Sequence, residues 1–192
     1  MNESSTPLCT AFAGSLKIAG GDIIDVAIKA KEAIESDNSL NILIFDDLTS
    51  MPIEIDWRGT VADVEKRVRA ANQPSVKEKG PGRPKLGVVS REVTLLPRHW
   101  EWLNSQAGGA SVALRKLVEE ARKSNSKKDT QRQSHEATYR FMSAMAGNLP
   151  NFEEATRALF AADLMRFQEN ISNWPIDLKE HLLKISANSF EQ

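Results

Sequence analysis

The apolar positions change period along this chain, and each change predicts an element. Short apolar runs at residues 10–13 and 16–19 flank Gly14-Ser15 and predict two strands joined by a tight turn, with Gly20-Gly21 closing the unit. Ile23, Ala27, Ala30 and Ile34 then recur at helical spacing through Ser36, with Asp22 placed to cap the first turn. Isoleucine-rich runs at residues 41–45 and 52–57 lie on either side of Asp46-Asp47-Leu48-Thr49-Ser50 and predict two more strands, so the first third reads as a ββαββ unit. Thr60 opens a short helix that turns Val61, Val64 and Val68 inward and carries Lys66, Arg67 and Arg69 towards its C-terminal end, where cations suit the helix dipole.

The periodicity stops at Asn72. Residues 72–87 are rich in Pro, Gly and Lys and predict a linker. Residues 88–95 alternate as a strand does, with Val89, Val93 and Leu95 on one face and Val88, Ser90, Glu92 and Thr94 on the other. Pro97 ends that strand and suits the first turn of a helix reaching about Gln106, with Trp100 and Leu103 on one side and His99 and Trp102 on the next. So wide an apolar surface is expected to be buried against more than one neighbour. After Ala107-Gly108-Gly109, a second helix over residues 111–123 aligns Leu114, Leu117, Val118 and Ala121 inward and Arg115, Lys116, Glu119, Glu120 and Arg122 outward. Residues 124–133 read as a polar linker, and three helical patterns finish the chain. The first stops at Gly147-Asn148. The second is capped by Asn151, with Glu154 in the capping-box position, and buries Phe152, Leu159, Phe160, Leu164, Phe167 and Ile171. The third follows Trp174-Pro175 and carries Leu178, Leu182 and Ile185. The expected fold is therefore α+β: an acidic α+β module over residues 1–71, a basic linker over 72–87, a strand-helix-helix unit over 88–123 and C-terminal helices over 124–192.

Charge sharpens this division. Residues 66–133 hold 16 Lys and Arg against 6 Asp and Glu, whereas residues 1–65 hold 4 against 12 and residues 134–192 hold 5 against 8. A net charge of −1 thus conceals a basic centre between acidic flanks, and a basic stripe recruits polyanions whatever the total. The single cysteine, Cys9, rules out an internal disulfide and is expected to be a small buried hydrophobe in a strand. No apolar run approaches the roughly 20 residues of a membrane span, and the first residues lack the basic and apolar regions of a signal peptide, so no membrane association and a bacterial-type cytoplasmic location are expected.

Residues 88–123 resemble a ribbon-helix-helix unit, on the strength of the alternating strand Arg91-Glu92-Val93-Thr94-Leu95, the Leu-Pro step into an amphipathic helix, the Gly-Gly-Ala-Ser turn and the closing Leu-Arg-Lys-Leu-Val-Glu-Glu-Ala-Arg. The resemblance implies a homodimer in which the strand at Val89 to Leu95 pairs with its twin from a second chain. Ser90, Glu92 and Thr94 would then face base edges in the major groove, and the amides of Gly109, Ala110 and Ser111 would meet a phosphate. Glu92 departs from the Arg, Lys, Asn, Gln or Thr more usual at such a position, although a carboxylate can accept from cytosine N4. Gly82-Arg83-Pro84-Lys85, preceded by Lys79, resembles the core of an AT-hook that follows an A·T-rich minor groove. Pro81 stands where the full hook has a further Arg.

Double-stranded DNA is accordingly the expected partner. The alternatives are a strand-helix-helix unit that packs on the N-terminal sheet of its own chain, and a protein-interaction or antitoxin-like module whose C-terminal helices bind a protein partner. The sequence argues against an enzyme: His135-Glu136-Ala137-Thr138-Tyr139 lacks the second His of a zincin, and no Gly-rich nucleotide fingerprint follows a strand. Asp46, Asp47, Glu54 and Asp56 read as turn and solvent-facing residues, and His99, His135 and His181 as separate helix-face residues. Neither a catalytic residue, a cofactor nor a metal is assigned. Taken over most of its length, the chain resembles bacterial domain-of-unknown-function family 2239, through residues 82–103 and 139–161 above all.

Overall fold

The computed structural model describes residues 8–73 and 89–190. It divides the chain into two compact units, one formed by Met1–Pro74 with Asp129–Gln192 and the other by Ser75–Lys128, called unit 1 and unit 2 below.

Unit 1 is built on a three-stranded antiparallel sheet ordered β2-β1-β3, from β1 (Leu8–Ala13), β2 (Leu16–Asp22) and β3 (Ile42–Asp46). The β1–β2 hairpin turns at Gly14, whose φ of 57° lies in the left-handed region that a two-residue hairpin loop demands and a glycine supplies without strain. Helix α1 (Ile23–Ser36) begins at Asp22, whose carboxylate accepts from the Ile24 amide at 2.8 Å, and helix α2 (Val61–Asn72) begins with a capping box between Thr60 and Asp63.

Both edges of the central strand β1 are paired, and side chains from the helices pack on both of its faces. Cys9 and Ala11 join Ile42, Ile44, Val26, Ala27, Val64 and Val68 beneath α1 and α2. Phe12 on the opposite face joins Phe45, Phe141, Met142, Leu159, Phe167, Leu178 and Leu182 in a second core. That second core is supplied by the last part of α4 (Gly109–Met145) and by α5 (Phe152–Phe160), α6 (Leu164–Asn170) and α7 (Ile176–Ile185). The C-terminal helices, expected as a segment of their own, therefore share one hydrophobic interior with the N-terminal sheet. Phe141 sits at its centre, its ring centroid 5.3 Å from that of Phe12 and 5.2 Å from that of Phe45, in tilted and edge-on arrangements that aromatic quadrupoles favour.

Four expectations are corrected. The strand at residues 52–57 contracts to one bridge, Phe45 with Pro52, extended by the Ile53 amide donating to Ile44 O at 2.8 Å, because Pro52 brings no amide to a ladder. The linker expected at residues 124–133 is helical, since Ser-Asn-Ser-Lys-Lys-Asp-Thr-Gln-Arg-Gln contains no Gly or Pro to break α4. The single helix expected from Asn151 to Ile171 is two. It breaks at Ala162 (φ 53°), and Asp163 restarts it by accepting from the Arg166 amide at 3.0 Å. Asn151 itself takes a left-handed φ of 62° and makes no side-chain cap, while Glu154, expected to complete the box, pairs with Arg157 and reaches Arg166 at 3.0 Å across the break.

Candidate nucleic-acid interface

Unit 2 holds the residues singled out for DNA contact, and its described part is the segment from Val89 through α3 (Pro97–Ser105) into α4. Pro97 stands in the first turn of α3, where its missing amide costs no hydrogen bond. Between α3 and α4 the backbone turns at Gly108 and Gly109, with φ of 89° and 72°. A Cβ on Gly108 would meet the Val112 side chain at 3.1 Å, so both geometry and space favour glycine there.

Residues 89–96 carry no strand in the single chain. The strand expected over residues 88–95 is therefore not formed in the described part of that segment, since a strand is held by its ladder and no strand among the described residues pairs with it. Ser90, Glu92 and Thr94 are exposed in this segment, together with Val89 and Val93. At the start of α4 the Gly109 amide already donates to Gln106 O at 2.9 Å, which leaves Ala110 and Ser111 as the residues there whose amides remain to be met. The Ser111 hydroxyl accepts from Arg115 Nη2 at 3.3 Å. Lys79, Gly82, Arg83, Pro84 and Lys85 lie outside the described residues.

The apolar surface of this unit is open. Leu103 and Ala113 are buried, at 3% and 8% exposure, whereas Val89, Val93, Trp102 and Val118 are each more than half exposed and Leu96, Trp100 and Leu117 are exposed as well. A groove of about 210 Å³ runs between α3 and α4, walled by Trp102, Ala113 and Leu117 and edged by Lys116 and Glu120. The burial expected for the α3 aromatics and for Leu117, Val118 and Ala121 is thus not achieved within one chain. Charge is equally unanswered: residues 75–128 hold 12 Lys and Arg against 5 Asp and Glu, and among the described residues of this unit the ion pair formed is Arg122 with Glu119 at 3.1 Å.

In unit 1 several ionisable groups are tied into the fold. Asp46 Oδ1 accepts from the amides of Leu48 and Thr49 and from the Thr49 hydroxyl, closing the turn after β3. Asp47 accepts from Thr10 Oγ1 and from Lys184 Nζ, each at 2.6 Å. Asp56 accepts from Nε and Nη2 of Arg58, at 2.8 and 2.7 Å, and this pair holds its carboxyl well below the usual carboxylate range. Cys9 is fully buried in β1, and burial, aided by Asp47, pushes its thiol up to about 12, so it stays protonated and unreactive. His181 is 3% exposed and packed against Phe12 and Phe141 at 5.3 and 4.5 Å. Desolvation pushes it down to about 4 against the opposing pull of Asp47. His135 Nε2 lies 3.1 Å from Ser189 O, and His99 is exposed on α3. Among the described residues no three His, Cys, Asp or Glu side chains gather as metal ligands.

Sequence reasoning missed the continuity of α4, and with it the alignment of basic residues on both sides of residue 124. The signal was the absence of any Gly or Pro between Gly109 and Gly147. A search of curated proteins and a search of solved structures each found no match. Residues 8–186, spanning both units, do match a bacterial family, and the chain belongs to that family, described as "Uncharacterized protein conserved in bacteria (DUF2239)".

Proposed function

We propose that this protein is a double-stranded-DNA-binding homodimer, a regulator-like protein of the bacterial cytoplasm that meets the duplex through unit 2. The observation that carries the reading is the coincidence, in one unit, of apolar residues with no core and cations with few partners. Ordering a residue costs on the order of 1–2 kcal/mol in backbone entropy, and burial of Leu103 and Ala113 offsets little of that for a whole unit. A contiguous open apolar surface marks an association site, and a second copy offers the same surface in return. Pairing of the segment at Val89 to Leu95 with its twin would bury Val89 and Val93 and turn Ser90, Glu92 and Thr94 outward together. Unpaired lysines and arginines then supply phosphate affinity. Arg83, in the Gly-Arg-Pro-Lys core, would enter an A·T-rich minor groove.

The test is a gel shift on random and A·T-rich duplexes with the full chain and two variants. Arg83→Ala should weaken A·T-rich binding in particular, while Thr94→Ala should leave overall affinity near its original value and blur sequence choice. Binding that is absent in dilute buffer, or flat between 50 and 200 mM salt, contradicts the proposal, because counterion release imposes a steep decline on any protein that covers several phosphates.

A separate observation favours protein binding by the C-terminal helices as a second reading. Phe160 is 54% exposed although its ring lies 5.7 Å from Tyr139 and 5.6 Å from His135, and Met165 beyond the α5–α6 break is exposed too. Capture of a specific protein that is lost with Phe160→Ser, in a chain that fails to bind duplex, would move the function to this patch and leave unit 2 as an antitoxin-like dimerisation element.

A further inference from the structure

Every residue from 115 to 128 in α4 is exposed. This is about 20 Å of helix at 1.5 Å per residue, touching nothing that buries it. Isolated helices of such length are marginal in water even for good helix formers, and Ser124-Asn125-Ser126 are not good ones. A bare helix of this kind calls for an external surface to lie against, and its side chains show which kind. Residues 115–128 carry six cations, Arg115, Lys116, Arg122, Lys123, Lys127 and Lys128, against Glu119 and Glu120. At about 100° per residue, Lys116, Lys123 and Lys127 fall within roughly 20° of one line along the helix. Among the described residues none of the three forms an ion pair, whereas Glu119 is held by Arg122 at 3.1 Å. Leu114, Val118 and Ala121 occupy the opposite side, so Lys123 and Lys127 stay free when that side is covered by a second copy, while Lys116 stands at the edge of the α3–α4 groove.

We propose that Lys116, Lys123 and Lys127 form a phosphate-tracking stripe by which α4 runs alongside the duplex backbone. The proposal rests on the DNA-binding reading and adds to it a second contact surface, separate from the ribbon and from the linker arm, that contributes affinity and no sequence choice. The stripe spans about 16 Å, against a phosphate every ~3.4 Å along one strand, so three lysines spaced about two turns and then about one turn apart reach separate phosphates. Glu120, one turn from Lys116, limits how closely the first of them approaches.

The test measures affinity of the full chain for a random-sequence duplex as a function of salt. Each neutralised phosphate contributes about 0.9 to the slope of log affinity against log salt, and the homodimer carries the stripe twice, so Lys116→Gln/Lys123→Gln/Lys127→Gln should flatten the slope by about 5 and weaken all duplexes alike. Glutamine keeps the helix propensity of lysine, and circular dichroism checks that α4 survives. Lys123→Gln alone, which removes two lysines from the homodimer, should flatten the slope by about 2, which reads out the stripe even where the triple variant misfolds. Lys29→Gln, on an exposed position of α1, should leave the slope unchanged. An unchanged slope in the lysine variants of a chain that does bind duplex overturns the stripe and spares the DNA-binding reading. Failure of the unsubstituted chain to bind duplex overturns both. A change in oligomeric state with an unchanged slope would assign the lysines to an acidic surface of a second copy and likewise overturn the stripe.

Discussion

The two units use comparable amino acids and reach opposite outcomes. In unit 1 the central strand is covered on both faces, and Phe12, Phe141, Phe167, Leu159 and Leu182 are fully buried. Among the described residues of unit 2, two tryptophans and several aliphatic residues lie open, and burial stops at Leu103 and Ala113. The charges divide the same way: Asp46, Asp47 and Asp56 are bonded within the fold, whereas the basic residues of unit 2 form one ion pair among the described residues. An interior completed within one chain makes a stable body, and an interior left open, with unspent charge beside it, makes an interface. This difference is what motivates the proposal that unit 2 serves recognition while unit 1 serves as the stable body.

Truncation should separate the units most sharply. Phe141→Ala removes the ring that touches Phe12, Phe45 and His181, and should destabilise unit 1 by about 3–5 kcal/mol in urea unfolding followed by circular dichroism. A cost below about 1 kcal/mol would mean that the two faces of the sheet are less well packed than they stand.

Acid should then discriminate almost as strongly. His181 titrates near 4 in the fold and near 6.5 when unfolded, so below 6.5 the unfolded chain takes up a proton that the folded chain refuses. Its neutral burial costs nothing above about pH 6.5, and stability of unit 1 should fall by about 3 kcal/mol as pH drops from there to about 4, levelling off below for this group. His181→Phe should flatten that decline, and an unaltered pH profile would show that other groups govern acid stability.

Smaller effects follow from the caps and from unit 2 itself. Thr60→Ala breaks the capping box with Asp63 and should lower stability by about 1 kcal/mol, seen as a modest fall in the urea midpoint. Val118→Ser, on the open face of α4, should change the unfolding of dilute chain by no more than about 0.5 kcal/mol while weakening self-association at higher concentration. A large effect of Val118→Ser on the isolated chain would show that its face is covered from within and would dissolve the contrast.

Much of unit 1 was legible because its signals are local. Asp22 caps α1, Gly14 turns the hairpin, and Ala27, Ala30, Val64 and Val68 lie on the buried sides that their spacing predicts. What sequence did not disclose depends on distant partners. Nothing near Phe12 says that Phe141 will meet it from the far end of the chain, and the same patterning that predicts a strand at Pro52 cannot see that its ladder ends after one bridge. Asp163 was a readable cap, but the continuous apolar run from Phe152 to Ile171 hid the break at Ala162. In unit 2 the amphipathic faces were legible as faces, but among the described residues Trp100, Trp102, Leu117 and Val118 stay exposed, so spacing alone did not tell what covers them. The alternation at residues 89–95 carries the same lesson, for a strand exists only with a neighbour.

The most direct measurement is the molar mass of the full chain in solution by light scattering at micromolar concentration, because every functional step assigned to unit 2 begins with a second copy on its open face. The account predicts twice the 21.3 kDa of one chain, falling towards the single mass with Val118→Ser. A mass that stays at 21.3 kDa across that range would contradict it.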